Sequence, residues 1–188
     1  TLHGHDELLD EPGTVRVQIG ARQWAWDIRY AGIDQSFDTE DDPMTVNELV
    51  VPKGRAVVFE LASNDVVHAL YLPNLRVKQD AVPGRVLRNW FRAEELGSFD
   101  MACSQHCGVN HYLMGGRVQV LESDDFDEWH RAMSLDAKRM AAEDERAQRE
   151  EASRSWSGSP WPSPAPTRAW TWPWGARLHP MPAVEVTP

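Results

Sequence analysis

The segment Cys103-Ser-Gln-His-Cys107-Gly-Val-Asn-His111-Tyr-Leu-Met114 places two thiols, the imidazole of His111 and the thioether of Met114 within twelve residues. All are soft or borderline donors, the set that suits copper. Two other uses of such a loop have to be weighed. A Cys-x3-Cys pair in an oxidising compartment can close a disulfide, and two cysteines with two histidines can hold zinc. Met114 speaks against zinc, for which a thioether is not a usual ligand, whereas a weak axial thioether is a known way to tune a copper potential. The second cysteine speaks against a mononuclear blue-copper site, where one thiolate suffices. Two thiolates on one short loop can bridge two copper ions, leaving a histidine and a weak axial ligand for each. That arrangement still lacks one nitrogen. The upstream candidate is His68, in Asp65-Val-Val-His68-Ala-Leu, thirty-five residues before Cys103. A lone histidine on an apolar strand is usually structural; here the missing ligand raises the metal reading.

Only a fold can bring His68 to the loop, and from Thr14 to Leu121 the chain alternates short apolar runs with turn residues. Val15, Val17 and Ile19 alternate with polar neighbours, as do Val57, Phe59 and Leu61; further runs cover 24–30, 66–72, 86–93 and 117–121. Pro52-Lys-Gly54, Pro83-Gly84 and Glu94-Glu-Leu-Gly97 supply turns. This pattern predicts an all-β Greek-key sandwich or barrel over 14–122, preceded by a linker over 1–13. Ser123, followed by Asp124 and Asp125, reads as the N-cap of a helix over 123–151, where negative charge suits the dipole. Its Phe126, Trp129 and Met133 share a face, and its later part is polar nearly all round and is expected to project from the domain. Beyond it, residues 152–188 form a low-complexity tail, expected to be disordered, because eight of the thirteen prolines and five of the nine tryptophans lie past Ser155 without helical or alternating pattern.

Up to His130 the chain carries 22 acidic and 11 basic residues, a net charge of −11; the remainder, with 7 and 8, carries +1. The acidity belongs to the domain. It argues against nucleic acid and anionic lipid as partners and favours a basic protein, with 38–42 and 124–128 as the acidic clusters that would steer it. No stretch approaches the roughly twenty apolar residues of a bilayer-spanning helix, and the first residues lack a charged-then-apolar leader. The chain as given is expected to be soluble.

At this point the sequence resembles subunit II of haem–copper respiratory oxidases, whose soluble part is a cupredoxin-like domain with the dinuclear CuA centre. The resemblance spans about residues 16–131. Besides the ligand loop it rests on Gly20-Ala-Arg-Gln23-Trp24-Ala-Trp26, which looks like the family's aromatic strand. A third motif, Leu72-Pro73-Asn-Leu75-Arg-Val-Lys78-Gln-Asp80-Ala-Val-Pro83-Gly84-Arg85, looks like its Pro-x-Leu…Lys-x-Asp-Ala-x-Pro-Gly-Arg run.

The resemblance implies roles residue by residue. Cys103 and Cys107 match the bridging thiolates, His68 and His111 the nitrogen ligands, Met114 a weak ligand, and Gln105 the position whose backbone carbonyl is the other weak ligand. Many members carry Glu at that position, and its side chain helps hold a magnesium ion against the catalytic subunit; a neutral amide is a poorer magnesium ligand, which weakens that expectation here. Trp24 matches an exposed tryptophan where electrons arrive from cytochrome c, and Trp26 a buried strand aromatic. Asp80 and Arg85 match residues facing the haem propionates of the partner subunit; a turn salt bridge is their ordinary alternative. The implied function is electron transfer from cytochrome c through two copper ions to a haem of catalytic subunit I, at the periplasmic or outer face of an energy-conserving membrane. The chain itself does no oxygen chemistry. The family's two membrane helices are not in this sequence, so membrane association is expected through helices cut from a longer subunit or through partner subunits. Competing readings are the CuA domain of a nitric-oxide-reducing relative, a copper-carrying or assembly protein, and a zinc-stabilised interaction module.

Overall fold

The computed structural model describes residues 5–155. Ten strands make up two five-stranded sheets. The first sheet contains β1 (Val15–Arg22), β2 (Ala25–Tyr30), β3 (Met44–Val46), β5 (Ala56–Ser63) and β8 (Leu87–Arg92), in the order β3-β2-β1-β5-β8. The second contains β4 (Glu48–Pro52), β6 (His68–Leu72), β7 (Val77–Ala81), β9 (Gly97–Cys103) and β10 (Gly115–Leu121), in the order β4-β10-β9-β6-β7. β1 runs parallel to β5 and β4 parallel to β10, so the chain crosses repeatedly between sheets, as the expected cupredoxin-like sandwich requires. The alternation read from β1 and β5 fixes their inward faces. Val17 lies opposite Phe59 and Ile19 opposite Leu61, all at most 1% exposed, because a one-residue slip would turn every apolar side chain outward.

Four parts of the expected layout need correction. The linker over 1–13 contains a five-residue helix, α1 (His5–Leu9), too short to leave a periodic signal. The C-terminal helix, α2 (Ser123–Ser155), ends four residues past the expected point, and the expected tail from 156 onward lies outside the described residues. The Phe126 N–H donates to the Glu122 carbonyl at 3.0 Å, which makes Glu122 the cap position, with Ser123 already inside the first turn. The later part of the helix is also not solvent-facing all round, since Ser134 and Ala141 are 0% and 6% exposed.

The start of α2 closes one end of the sandwich. Phe126 is buried, Trp129 meets Tyr30 edge to face at 5.2 Å, and His130 stacks on Phe126 at 5.7 Å while its Nε2 contacts the Ala31 carbonyl at 2.9 Å. The acidic run 38–42 is largely consumed in organising the loop after β2. Asp42, 6% exposed, accepts from the backbone N–H groups of Gly32, Asp38 and Thr39 and from the Thr39 hydroxyl, and pairs with buried Arg29 at 2.6 Å. Such a charge is held by its partners and adds little to a steering field.

Candidate metal centre

The end of the sandwich opposite α2 collects the sulfur and nitrogen donors. His68 is the first residue of β6, Cys103 the last of β9, and Met114 immediately precedes β10. The β6–β9 pairing of Leu70 with Cys103 is what carries His68 to the loop. The Cys103 N–H donates to the Met114 carbonyl at 3.0 Å and the Ser104 N–H to the Ala69 carbonyl at 2.9 Å, so both ends of the loop are tied to the sheet. Between them, a 3-10 turn at His111–Leu113 turns His111 back toward the thiols.

The two sulfurs are free and lie 3.8 Å apart. Two imidazoles and two weak donors surround them, and His68 Nδ1 also stands 3.1 Å from Met114 Sδ. Cys103 Sγ stands 4.0 Å from His68 Nδ1 and 3.2 Å from the Gln105 carbonyl oxygen. Cys107 Sγ stands 3.5 Å from His111 Nδ1 and 3.7 Å from Met114 Sδ. The donor atoms of His68, Cys103 and Cys107 all lie within 4.8 Å of one another; His111 joins this group at Cys107. His68, Cys107, Met114 and Cys103 are 0%, 3%, 2% and 9% exposed. Burial, then the hydrogen bond and charge of Cys103, push the Cys107 thiol up to about 11, so Cys107 resists ionising in the absence of a cation. The donor chemistry fits copper: two thiols, two imidazoles, a thioether and a carbonyl, with no carboxylate among them.

Three contacts around these donors were not anticipated from the sequence. Asp65 lies 2.8 Å from His68 Nε2 and accepts from the backbone N–H groups of Gln23 and Val66. Burial raises its pKa, but the hydrogen bonds from His68, Gln23 and Val66 outweigh that and hold the carboxyl below its ordinary value. An ionised Asp65 keeps the proton on Nε2 and leaves the Nδ1 lone pair facing the sulfurs. The signal was present in Asp65-Val-Val-His68, a carboxylate three residues before the histidine. The second contact is double: the Gln23 side-chain amide donates to the Cys107 carbonyl at 2.8 Å and the Trp24 indole N–H to the same oxygen at 3.3 Å. Gly108, at φ +120°, permits it, since a Cβ there would stand 2.9 Å from Gln23 Nε2 and 3.3 Å from the Trp24 ring. The third is His106, exposed, its ring edge to face with His111 at 5.6 Å.

The remaining expected residues fall as follows. Trp24 is half-buried rather than exposed, because its ring packs against the core at the β1–β2 turn; Trp26 is fully buried beside His68. Asp80 and Arg85 are both exposed, on β7 and in the turn after it. The Gln105 side chain is exposed, and only its carbonyl turns toward the thiols.

Comparison with known proteins identifies the family. The family described as cytochrome c oxidase subunit II, periplasmic domain, matches residues 15–121. The chain belongs to the cytochrome c oxidase subunit II family. Its relatives include cytochrome c oxidase subunit 2 of Cereibacter sphaeroides, 41% identical over 145 residues, 61% of this chain and 48% of that one. The alternative cytochrome c oxidase subunit 2 of Bradyrhizobium diazoefficiens is 34% identical over 147 residues, 66% of this chain and 53% of that one. The chain thus spans about half the length of these subunit II relatives. Among solved structures, the periplasmic domain of subunit II (CoxB) of Bradyrhizobium japonicum is similar with a TM-score of 0.57 and 27% identity, over 65% of this chain and 94% of that one. Another, with a TM-score of 0.54 and 30% identity over 71% and 98% of the two chains, is a mixed disulfide intermediate between a thioredoxin-like protein and subunit II. Among the described residues no helix is long and apolar enough to cross a membrane.

Proposed function

We propose that this domain relays single electrons through a dinuclear copper centre, taking them from cytochrome c or a similar basic donor and passing them to a haem of catalytic subunit I of a terminal oxidase. Its place would be the periplasmic or outer face of an energy-conserving membrane. The observation that carries the proposal is the pair of free, buried thiols 3.8 Å apart, each flanked by one imidazole Nδ1 and one weak donor. Cys103 and Cys107 would bridge, His68 and His111 would supply the nitrogen ligands, and Met114 and the Gln105 carbonyl the weak ones. When bound, a thiolate-bridged copper pair supplies a redox centre that shares one unpaired electron between two ions.

The protein's own contribution is rigidity and access. Burial of His68, Cys107 and Met114 keeps water away, and the ties from Cys103 to Met114 and from Ser104 to Ala69 hold the loop in one shape. Asp65 holds the proton on His68 Nε2. Trp24 offers a donor's electrons a short way in, because one hydrogen bond links its indole to the carbonyl of Cys107. Asp80 and Arg85 are proposed to face the partner subunit. The neutral, exposed Gln105 side chain gives magnesium no carboxylate, and no magnesium role is proposed for it. Two thiols this close form a disulfide when oxidised, so a thioredoxin-like reductant, as in the mixed disulfide of the relative, is the proposed partner that keeps them reduced for metal.

Stopped-flow mixing of the copper-loaded chain with reduced cytochrome c tests the relay. The expected result is oxidation of the cytochrome by one electron per copper pair. A loaded chain that leaves the cytochrome reduced, or takes two electrons, contradicts it.

A further inference from the structure

The proposed ligands differ in access to solvent. His68, Met114, Cys107 and Cys103 are at most 9% exposed, while His111 is half-buried. His111 also stands outside the tight group of His68, Cys103 and Cys107. An ion arriving from solvent therefore meets the centre on the His111 side. There, between the two cysteines in sequence, stands His106. It is exposed, its ring meets His111 edge to face at 5.6 Å and 65°, and no hydrogen bond or ion pair among the described residues holds it. The donors thus form a series running inward from the surface: His106 exposed, His111 half-buried with Nδ1 3.5 Å from Cys107 Sγ, then the two sulfurs 3.8 Å apart, then His68 at full burial. An imidazole is a good copper ligand, yet the dinuclear set is complete without this one.

We propose that His106 is a capture ligand for incoming cuprous copper, taking the ion at the surface together with His111, handing it to Cys107 and returning to solvent. The inference rests on the two-copper reading above. No electron moves in loading: as two cuprous ions are taken up, the S–H bonds of Cys103 and Cys107 break, each thiolate would bond both ions, and two protons leave to water. The bland role for His106, packing against the His111 ring, needs only an aromatic edge and no nitrogen.

The test follows copper uptake by the full apo chain, reduced and anaerobic, from cuprous ion held by a weak chelator, through the ultraviolet absorption of cuprous thiolate. His106→Phe keeps a ring against His111 and removes the nitrogens; His106→Ala removes both. Both variants are expected to reach the wild-type final copper content and, after one-electron oxidation, the wild-type spectrum. Both should load roughly tenfold more slowly, the scale on which one supporting contact alters metal binding. Wild-type loading by His106→Phe overturns the proposal, whether or not His106→Ala is slow, because packing alone then accounts for the residue. A lower final copper content in both variants overturns it as well, because His106 is then a resident ligand. A wild-type chain that stops at one copper sinks the two-copper reading and the capture role together, whereas unchanged rates with two coppers overturn only the capture role.

Discussion

Asp65→Asn keeps the size of the side chain and removes its charge and one acceptor oxygen. In the wild type, Oδ1 faces His68 Nε2 at 2.8 Å and the Val66 N–H at 2.6 Å, while Oδ2 accepts from the Gln23 N–H at 2.6 Å. Asparagine can place its one oxygen on either side. If the oxygen faces Gln23, the amide NH2 points at His68 and favours the tautomer with its proton on Nδ1, which closes the metal-facing nitrogen. If it faces His68, the NH2 opposes the Gln23 N–H at the turn that carries Trp24, and the imidazole loses its charged partner. Loss of a carboxylate behind a metal-binding histidine typically costs about 10–100-fold in metal affinity, which is about 1.4–2.7 kcal/mol. Equilibrium partition of copper between the chain and a chelator near neutral pH measures this directly. Acid should mimic the mutation. Asp65 is held below its ordinary value of 3.8, so its stabilisation is fully present above about that pH and is lost as pH falls through the lower folded value. The stability gap between the apo forms of wild type and Asp65→Asn should therefore persist from neutrality to about pH 4 and narrow below it. Equal copper affinity in the two proteins would refute the positioning role.

Cys103→Ser and Cys107→Ser should each abolish the delocalised two-copper signal in electron paramagnetic resonance, since either change removes one of the two bridges; a retained signal in either one contradicts the bridging assignment. Met114→Leu should keep the colour and shift the reduction potential measured by redox titration, because a thioether in that position tunes more than it holds; an unchanged potential removes Met114 from the ligand set. Trp24→Ala should slow reduction by cytochrome c at every salt concentration with copper content intact, and full speed would mean that electrons arrive elsewhere. Salt should slow wild-type reduction only modestly. Asp42 is neutralised by Arg29, and the acids at the start of α2 sit beyond Leu121, roughly 20 Å along β10 from Met114 at about 3.3 Å per residue, so the overall charge of the domain steers more than any local pairing at Trp24.

The donor set was legible because five of its six members lie on one twelve-residue loop, where spacing alone carries chemistry. His68 was legible as the nitrogen donor that the loop lacked. What surrounds the donors was not, because Gln23 and Trp24 reach the Cys107 carbonyl across more than eighty residues, and such a contact leaves no periodic trace. Asp65 sits three residues before His68, but sequence does not show that its carboxyl turns onto Nε2. The acidic run 38–42 looked like surface charge because sequence does not show that Arg29 and Asp42 are buried together. Among the strands, β1 and β5 announce themselves by alternation, whereas the edge strand β7, with its exposed Lys78 and Asp80, and the central strand β9, with exposed Gly97 and Asp100, do not, because their polar positions blur the period. Phe126 and Trp129 marked the packed face of α2, and His130 escaped notice because its partner is a backbone carbonyl.

Copper content per chain together with the electron paramagnetic resonance spectrum tests the central claim most directly. Two coppers per chain, with the hyperfine pattern of one unpaired electron shared equally by both nuclei, is the predicted result. One copper per chain, or two coppers each with its own localised electron, would contradict the dinuclear centre.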